Sequence, residues 1–110
     1  MLVIIRLRAV PGGEFDDGKD VGAELHSALA VLAAEPGYLD GHVAHSVDEQ
    51  GLWVLVTRWR DVGSYRRALS SYDVRVGVVP LLAGAVDEPS AYEIIEPGGQ
   101  PNTVRPRQTW

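Results

Sequence analysis

Two extended runs, Tyr38–Val47 and Leu52–Trp59, are separated by only four residues, Asp48, Glu49, Gln50 and Gly51. Strand-like segments that close together have one economical arrangement, the antiparallel β-hairpin, with a polar turn at its tip. Pro36 and Gly37 punctuate the chain just before the hairpin, and Asp61 just after it is a good helix N-cap. A hairpin bounded by a helix stop on one side and a helix start on the other severely limits the folds available.

The flanking segments complete the pattern. Residues 2–10 are aliphatic and β-branched, with Arg6 and Arg8 at alternate places, and Pro11 to Gly13 end this strand. Lys19 to Glu35 reads as a helix, because Val21, Leu25, Ala28, Leu29 and Leu32 recur at helical spacing; Asp16 or Asp17 is the expected cap. Beyond Asp61, Val62, Tyr65 and Leu69 share one face of a second helix, with Arg66 and Arg67 outward. The stretch 73–84 fits both periodicities and is read as short helical segments, with Pro80 in a first turn. Ser90 to Glu96 is the last strand.

The order β-α-β-β-α-β is the split βαβ of α+β, ferredoxin-like domains: a four-stranded antiparallel sheet with both helices on one face. Yet the strands are apolar on both sides, with Val3, Ile5 and Leu7 backing Leu2 and Ile4, and Leu52, Val54 and Val56 backing Trp53 and Leu55. Two helices cover one face only, so the other calls for a second copy of the chain, a homodimer. A chain of 110 residues suits one domain, expected over 1–96, with a tail over 97–110 that is mobile or lies across a partner.

Composition narrows the partners. The net charge is −5 and the arginines are scattered, which argues against nucleic acid. There is no cysteine, so disulfides and thiolate metal sites are excluded, and three isolated histidines make a poor metal site. The N-terminal apolar run is too short and too charged for a signal or membrane span. The expectation is a cytoplasmic protein with no membrane contact and no metal.

A symmetric hairpin loop pairs Val47 with Leu52. It places Asp40, His42, Ala44 and Ser46 on the face of Trp53, Leu55, Thr57 and Trp59, with Leu39, Gly41, Val43 and His45 on the other. One loop residue more or fewer reverses the strand-two assignment. On this register His42 lies under the helices, either as a packed structural residue or as a general base titrating near neutrality. Trp59 is a core residue at the sheet–helix seam or an apolar wall for a flat ligand. Tyr65 packs as a core aromatic or donates a hydrogen bond, and Tyr72 and Arg75 stand at the pocket mouth.

The Pro36-Gly37-Tyr38-Leu39 entry, the strand ending Leu55 to Trp59 and the Asp61-x-x-Ser64-Tyr65 helix start together resemble the antibiotic-biosynthesis monooxygenase family of dimeric α+β barrels. The likeness spans roughly residues 2–96. It implies a pocket Trp at Trp59 and, as in the polyketide-oxygenase branch, a Tyr six residues on at Tyr65. That branch places an Asn where this chain has Leu55. The strand-one Asn of the haem-degrading branch falls at Arg6, and its axial His falls at Ala68, so haem degradation is disfavoured. The same alignment turns Arg6 inward, where Asp40 or Glu93 is its structural partner and a phenolate its functional one.

The resemblance thus implies a cofactor-independent oxygenase that oxidises a hydroxylated aromatic (a quinol, anthrone or polyketide intermediate) with dioxygen. His42, Tyr65 and Arg6 are its catalytic candidates; Trp59, Trp53, Leu55, Thr57, Tyr72 and Arg75 are its substrate-binding candidates. The competing expectation is a non-catalytic dimeric barrel that binds a small hydrophobic ligand or assists a biosynthetic pathway.

Overall fold

A computed structural model describes residues 1–9 and 20–101. The elements are β1 (Leu2–Arg8), α1 (Val21–Ala33), β2 (Tyr38–His45), β3 (Leu52–Trp59), α2 (Val62–Ser70), α3 (Tyr72–Gly77), a 3-10 segment (Val79–Gly84) and β4 (Ala91–Tyr92). The strands form one antiparallel sheet in the order β2-β3-β1-β4, which is the ferredoxin-like α+β arrangement.

Each helix begins where a side chain satisfies its free backbone donors. The α1 cap is Asp20, whose carboxylate accepts from the Ala23 N–H at 3.0 Å. It takes the role expected of Asp16 or Asp17, which lie outside the described residues. Asp61 caps α2 as expected, accepting from both the backbone N–H of Ser64 (2.7 Å) and its hydroxyl (2.8 Å). These bonds from Ser64 hold the Asp61 carboxyl below the usual carboxylate range. Val21, Leu25, Ala28 and Leu32 form the buried stripe of α1, whereas α2 buries the small residues Ser64 and Ala68.

The core lies between the helices and one sheet face, which presents Val3, Ile5 and Leu7 from β1 and Leu55, Thr57 and Trp59 from β3. The opposite face carries Leu2, Ile4, Val54 and Val56, partly buried and uncovered by any helix. It is edged by the ion pairs Arg58–Asp40 and Arg8–Glu49.

Three expectations about the strands need correction. First, Ser46, not Val47, pairs with Leu52: its N–H donates to the Leu52 carbonyl at 2.9 Å. The Ser46 hydroxyl accepts from the N–H groups of Asp48 and Glu49, which folds Val47 into the loop, where it is almost fully exposed. The loop gains one residue, and since side chains alternate, β2 is inverted. His42 therefore lies opposite Val56 on the uncovered face, while Gly41, Val43 and His45 join Thr57, Leu55 and Trp53. An irregularity between Tyr38 and Asp40 returns Tyr38 to the face of Trp59.

Second, Arg6 alternates with buried Ile5 and Leu7 and so belongs to the uncovered face, opposite Val54, not under the helices. Third, β4 is only Ala91–Tyr92, not Ser90 to Glu96. Tyr92 pairs with Leu2, the first residue of β1, so the chain beyond it has no strand alongside.

Before Ala91 the same segment contacts β1 again: Val86 N–H donates to the Arg6 carbonyl (2.7 Å), and Ala85 bridges Leu7. The Ile4 N–H donates to the Ser90 carbonyl (2.8 Å). Between those anchors Asp87, Glu88 and Pro89 stand against Ile5 alone, a wide bulge at the sheet edge.

A chamber at the bulged sheet edge

That bulge opens a chamber of about 90 Å³ between β1, α2 and the 3-10 segment. Ile5, Leu82, Ala85 and Val86 supply apolar walls, and Arg6, Glu88 and Tyr65 supply its polar groups. Glu88 receives a two-point hydrogen bond from Arg6, with Nε at 2.7 Å from one carboxylate oxygen and Nη2 at 2.5 Å from the other. The fork holds Glu88 below the usual carboxylate range, chiefly through the hydrogen bond and against the effect of burial.

Tyr65 is half-buried, and its side chain makes no hydrogen bond to another described residue. Burial raises its phenol above the ordinary value, so at neutral pH it is a protonated donor, not a base. Behind Tyr65 stands the Trp59 indole, with centroids 5.6 Å apart and planes at 55°. Tyr38 meets the same indole edge-on at 5.5 Å. Trp59 is wholly buried and its indole N–H donates to the Thr57 hydroxyl at 2.8 Å, so its polar edge is satisfied within the core.

A wider cleft of about 510 Å³ is lined by Met1, Val62, Arg66, Ala91, Tyr92 and Glu93. Two of its residues directly follow chamber residues: Ala91 follows Ser90 on the segment 85–92 that runs along β1 as a strap, and Arg66 follows Tyr65 on α2.

Of the residues singled out from the sequence, the structure brings together Arg6 and Tyr65. His42 is exposed on the uncovered sheet face, the same face as Arg6, but on β2 opposite Val56 and outside the chamber lining. Trp59, Leu55 and Thr57 are packed in the core and line none of these cavities. Trp53 meets His45 edge-on at 4.7 Å and borders a second depression of about 150 Å³, toward the hairpin tip, that shares Arg6 with the chamber. Tyr72 and Arg75 project outward from α3, away from the chamber lining. The partner of Arg6 is Glu88 rather than Asp40 or Glu93, and Asp40 instead pairs with Arg58.

Glu88 was missed by motif reasoning. Its signal was Pro89, because a proline within a strand marks an edge or a bulge.

Among the described residues no group of His, Asp or Glu is placed to hold a metal ion, and no helix is long and apolar enough to cross a membrane.

The fold is shared with solved structures. A conserved protein from Methanosarcina mazei Go1 is 18% identical with a TM-score of 0.62, over 82% of this chain and 84% of that one. Rv0793 from Mycobacterium tuberculosis is 22% identical with a TM-score of 0.60, over 82% and 86%. SnoaB, a cofactor-independent oxygenase from Streptomyces nogalater, is 21% identical with a TM-score of 0.54, over 77% and 83%. At these identities the likeness speaks for fold alone. No curated protein matches the sequence. Residues 1–78, well over half the chain, match the family model for antibiotic biosynthesis monooxygenase, and the protein belongs to that family.

Proposed function

We propose that the protein is a cofactor-independent monooxygenase that oxidises a hydroxylated aromatic with dioxygen at the chamber beside Tyr65. The observation that carries this reading is that a guanidinium, held by Glu88, and a protonated phenol line one apolar-walled chamber. Arg6 lies at the rim, Tyr65 within, and Ile5, Leu82 and Val86 around them. Family membership supports the reaction class.

In this mechanism Arg6 favours the ionised form of a substrate phenol, and Tyr65 donates a hydrogen bond to a ring oxygen. His42 does not line the chamber, so in this reading the phenolic proton leaves to solvent at the rim. In the enol form the ring CH₂ has given one hydrogen to oxygen and become CH. Its anion passes one electron to dioxygen, the radical pair combines at that CH carbon, and the resulting peroxide takes up a proton. Loss of water from that carbon leaves a carbonyl, so CH₂ and O₂ become C=O and H₂O with no further reductant. Trp59 acts as a positioning residue, fixing the Tyr65 ring from behind.

The uncovered apolar face of Leu2, Ile4, Val54 and Val56 supports a homodimer joined sheet to sheet. Analytical ultracentrifugation tests it: Val54→Asp is expected to yield a monomer.

Oxygen uptake with an anthrone tests the activity. Turnover above the buffer rate is expected to fall about tenfold or more in Tyr65→Phe and in Arg6→Gln. It should persist in His42→Ala. A specific observation favours a second reading, a ligand-binding dimeric barrel without catalysis: Leu55, Thr57 and Trp59, the expected pocket residues, are buried in the core. Tight binding of the aromatic with no oxygen consumption decides for that reading and against the oxygenase.

A further inference from the structure

We propose that Glu88 is a built-in occupant of the anion site at Arg6, so that the chamber admits planar aromatics bearing an anionic oxygen group that displaces it. The inference rests on the reading above that the chamber beside Tyr65 receives an aromatic ligand.

Three observations carry it. The two oxygens of Glu88 meet Arg6 edge-on at 2.7 and 2.5 Å, the approach a ligand carboxylate would make to the same guanidinium. In the single chain both side chains are partly exposed, 42% for Arg6 and 29% for Glu88, and Glu88 lies on the outermost segment of the sheet, so the carboxylate can turn toward water at that edge. The chamber of about 90 Å³ is smaller than the engineered cavity of about 150 Å³ known to hold benzene, so an aromatic enters only if a wall moves.

The bulge identifies that wall. Val86 and Ser90 are tied to β1 by backbone hydrogen bonds of 2.7 and 2.8 Å on either side, which leaves residues 87–89 as the part free of the ladder. Glu88 is at the middle of it. This residue also lies beyond residues 1–78, the part matched by the family model. An incoming anion exchanges one carboxylate–guanidinium pair for another, whereas a neutral aromatic must break the pair without replacing it. Selectivity for anions follows.

The test uses 2-naphthoate and its neutral counterpart 2-naphthamide, with binding followed by tryptophan fluorescence and by calorimetry. Removing the competing charge in Glu88→Gln is expected to tighten naphthoate binding about tenfold and to move the amide by less than about twofold. Adding Arg6→Gln to that variant should abolish the gain. If Glu88→Gln does not fold, Glu88→Asp, whose shorter arm weakens the fork, should show the same preference in smaller measure. An equal gain for both probes, or none for naphthoate, overturns the proposal. Anthrone turnover by the wild type, together with naphthoate affinity unchanged in Glu88→Gln, sinks the occupant and leaves the oxygenase standing. No turnover, with neither probe bound by any variant, sinks both.

Discussion

The two edges of the sheet are built differently. On one, β2 and β3 pair almost continuously, and their covered face ends in the closed cluster of Trp59, Tyr38 and Thr57. On the other, β1 meets a strap that pairs, bulges over three residues and pairs again, leaving a chamber with a charged rim. The regular edge spends its aromatic residues on packing, and the irregular edge leaves polar groups available. A large aromatic at a strand end is therefore a poor guide to a binding wall when its polar atom already has a partner inside the core. A break in strand pairing is the better guide, since it exposes side chains that a full ladder would cover.

Substitutions at the regular edge should be the costliest. Trp59→Ala is expected to destabilise the fold by about 3–5 kcal/mol in urea titrations, because it removes a fully buried indole and leaves a cavity. A loss under about 1 kcal/mol would mean that the indole is not the packed centre of that edge. Gly41→Ala comes next. Its new Cβ would stand 2.7 Å from both the Leu29 Cδ1 and the Tyr38 hydroxyl and 2.8 Å from the Val56 carbonyl oxygen. Such overpacking costs about 1–3 kcal/mol, measurable by the same titration.

Acid should loosen both edges, since Asp40 and Glu88 are held below the usual carboxylate range by the hydrogen bonds of Arg58 and Arg6. A carboxylate depressed in the folded state contributes stability above its unfolded pKa, about 4, and loses it as pH falls through the folded value. The melting temperature should therefore be flat from neutrality to about pH 5 as far as these groups are concerned, and fall below about pH 4. Glu88→Gln should flatten part of that acid limb, and an unchanged limb would break the equivalence of the two edges.

The smallest effect on the fold of the single chain is expected at His42, which is exposed there, outside the core and the chamber. His42→Ala should change stability by less than about 0.5 kcal/mol in the same titration.

Much of this was legible in the chain. The alternation of residues 2–8, the helical stripe from Val21 to Leu32, the cap at Asp61 and the motif likeness gave the elements, their order and the family. The hairpin register was not legible, because it turned on whether Val47 joined the strand or the loop, and that depended on the Ser46 hydroxyl capturing two backbone donors. Of the residues lining the chamber, Tyr65 and Arg6 were singled out from the sequence, Arg6 with the wrong facing. Glu88 was not, since its sequence neighbourhood holds only the hint of Pro89.

Sequence alone determined which segments become strands and helices and that the sheet would be apolar on both sides, because those properties follow from local periodicity and turn residues. Tertiary structure decided which side chains meet. Facing depends on a single residue of register, and the Arg6–Glu88 pair joins positions 82 residues apart that only the folding of the strap against β1 brings within hydrogen-bond reach.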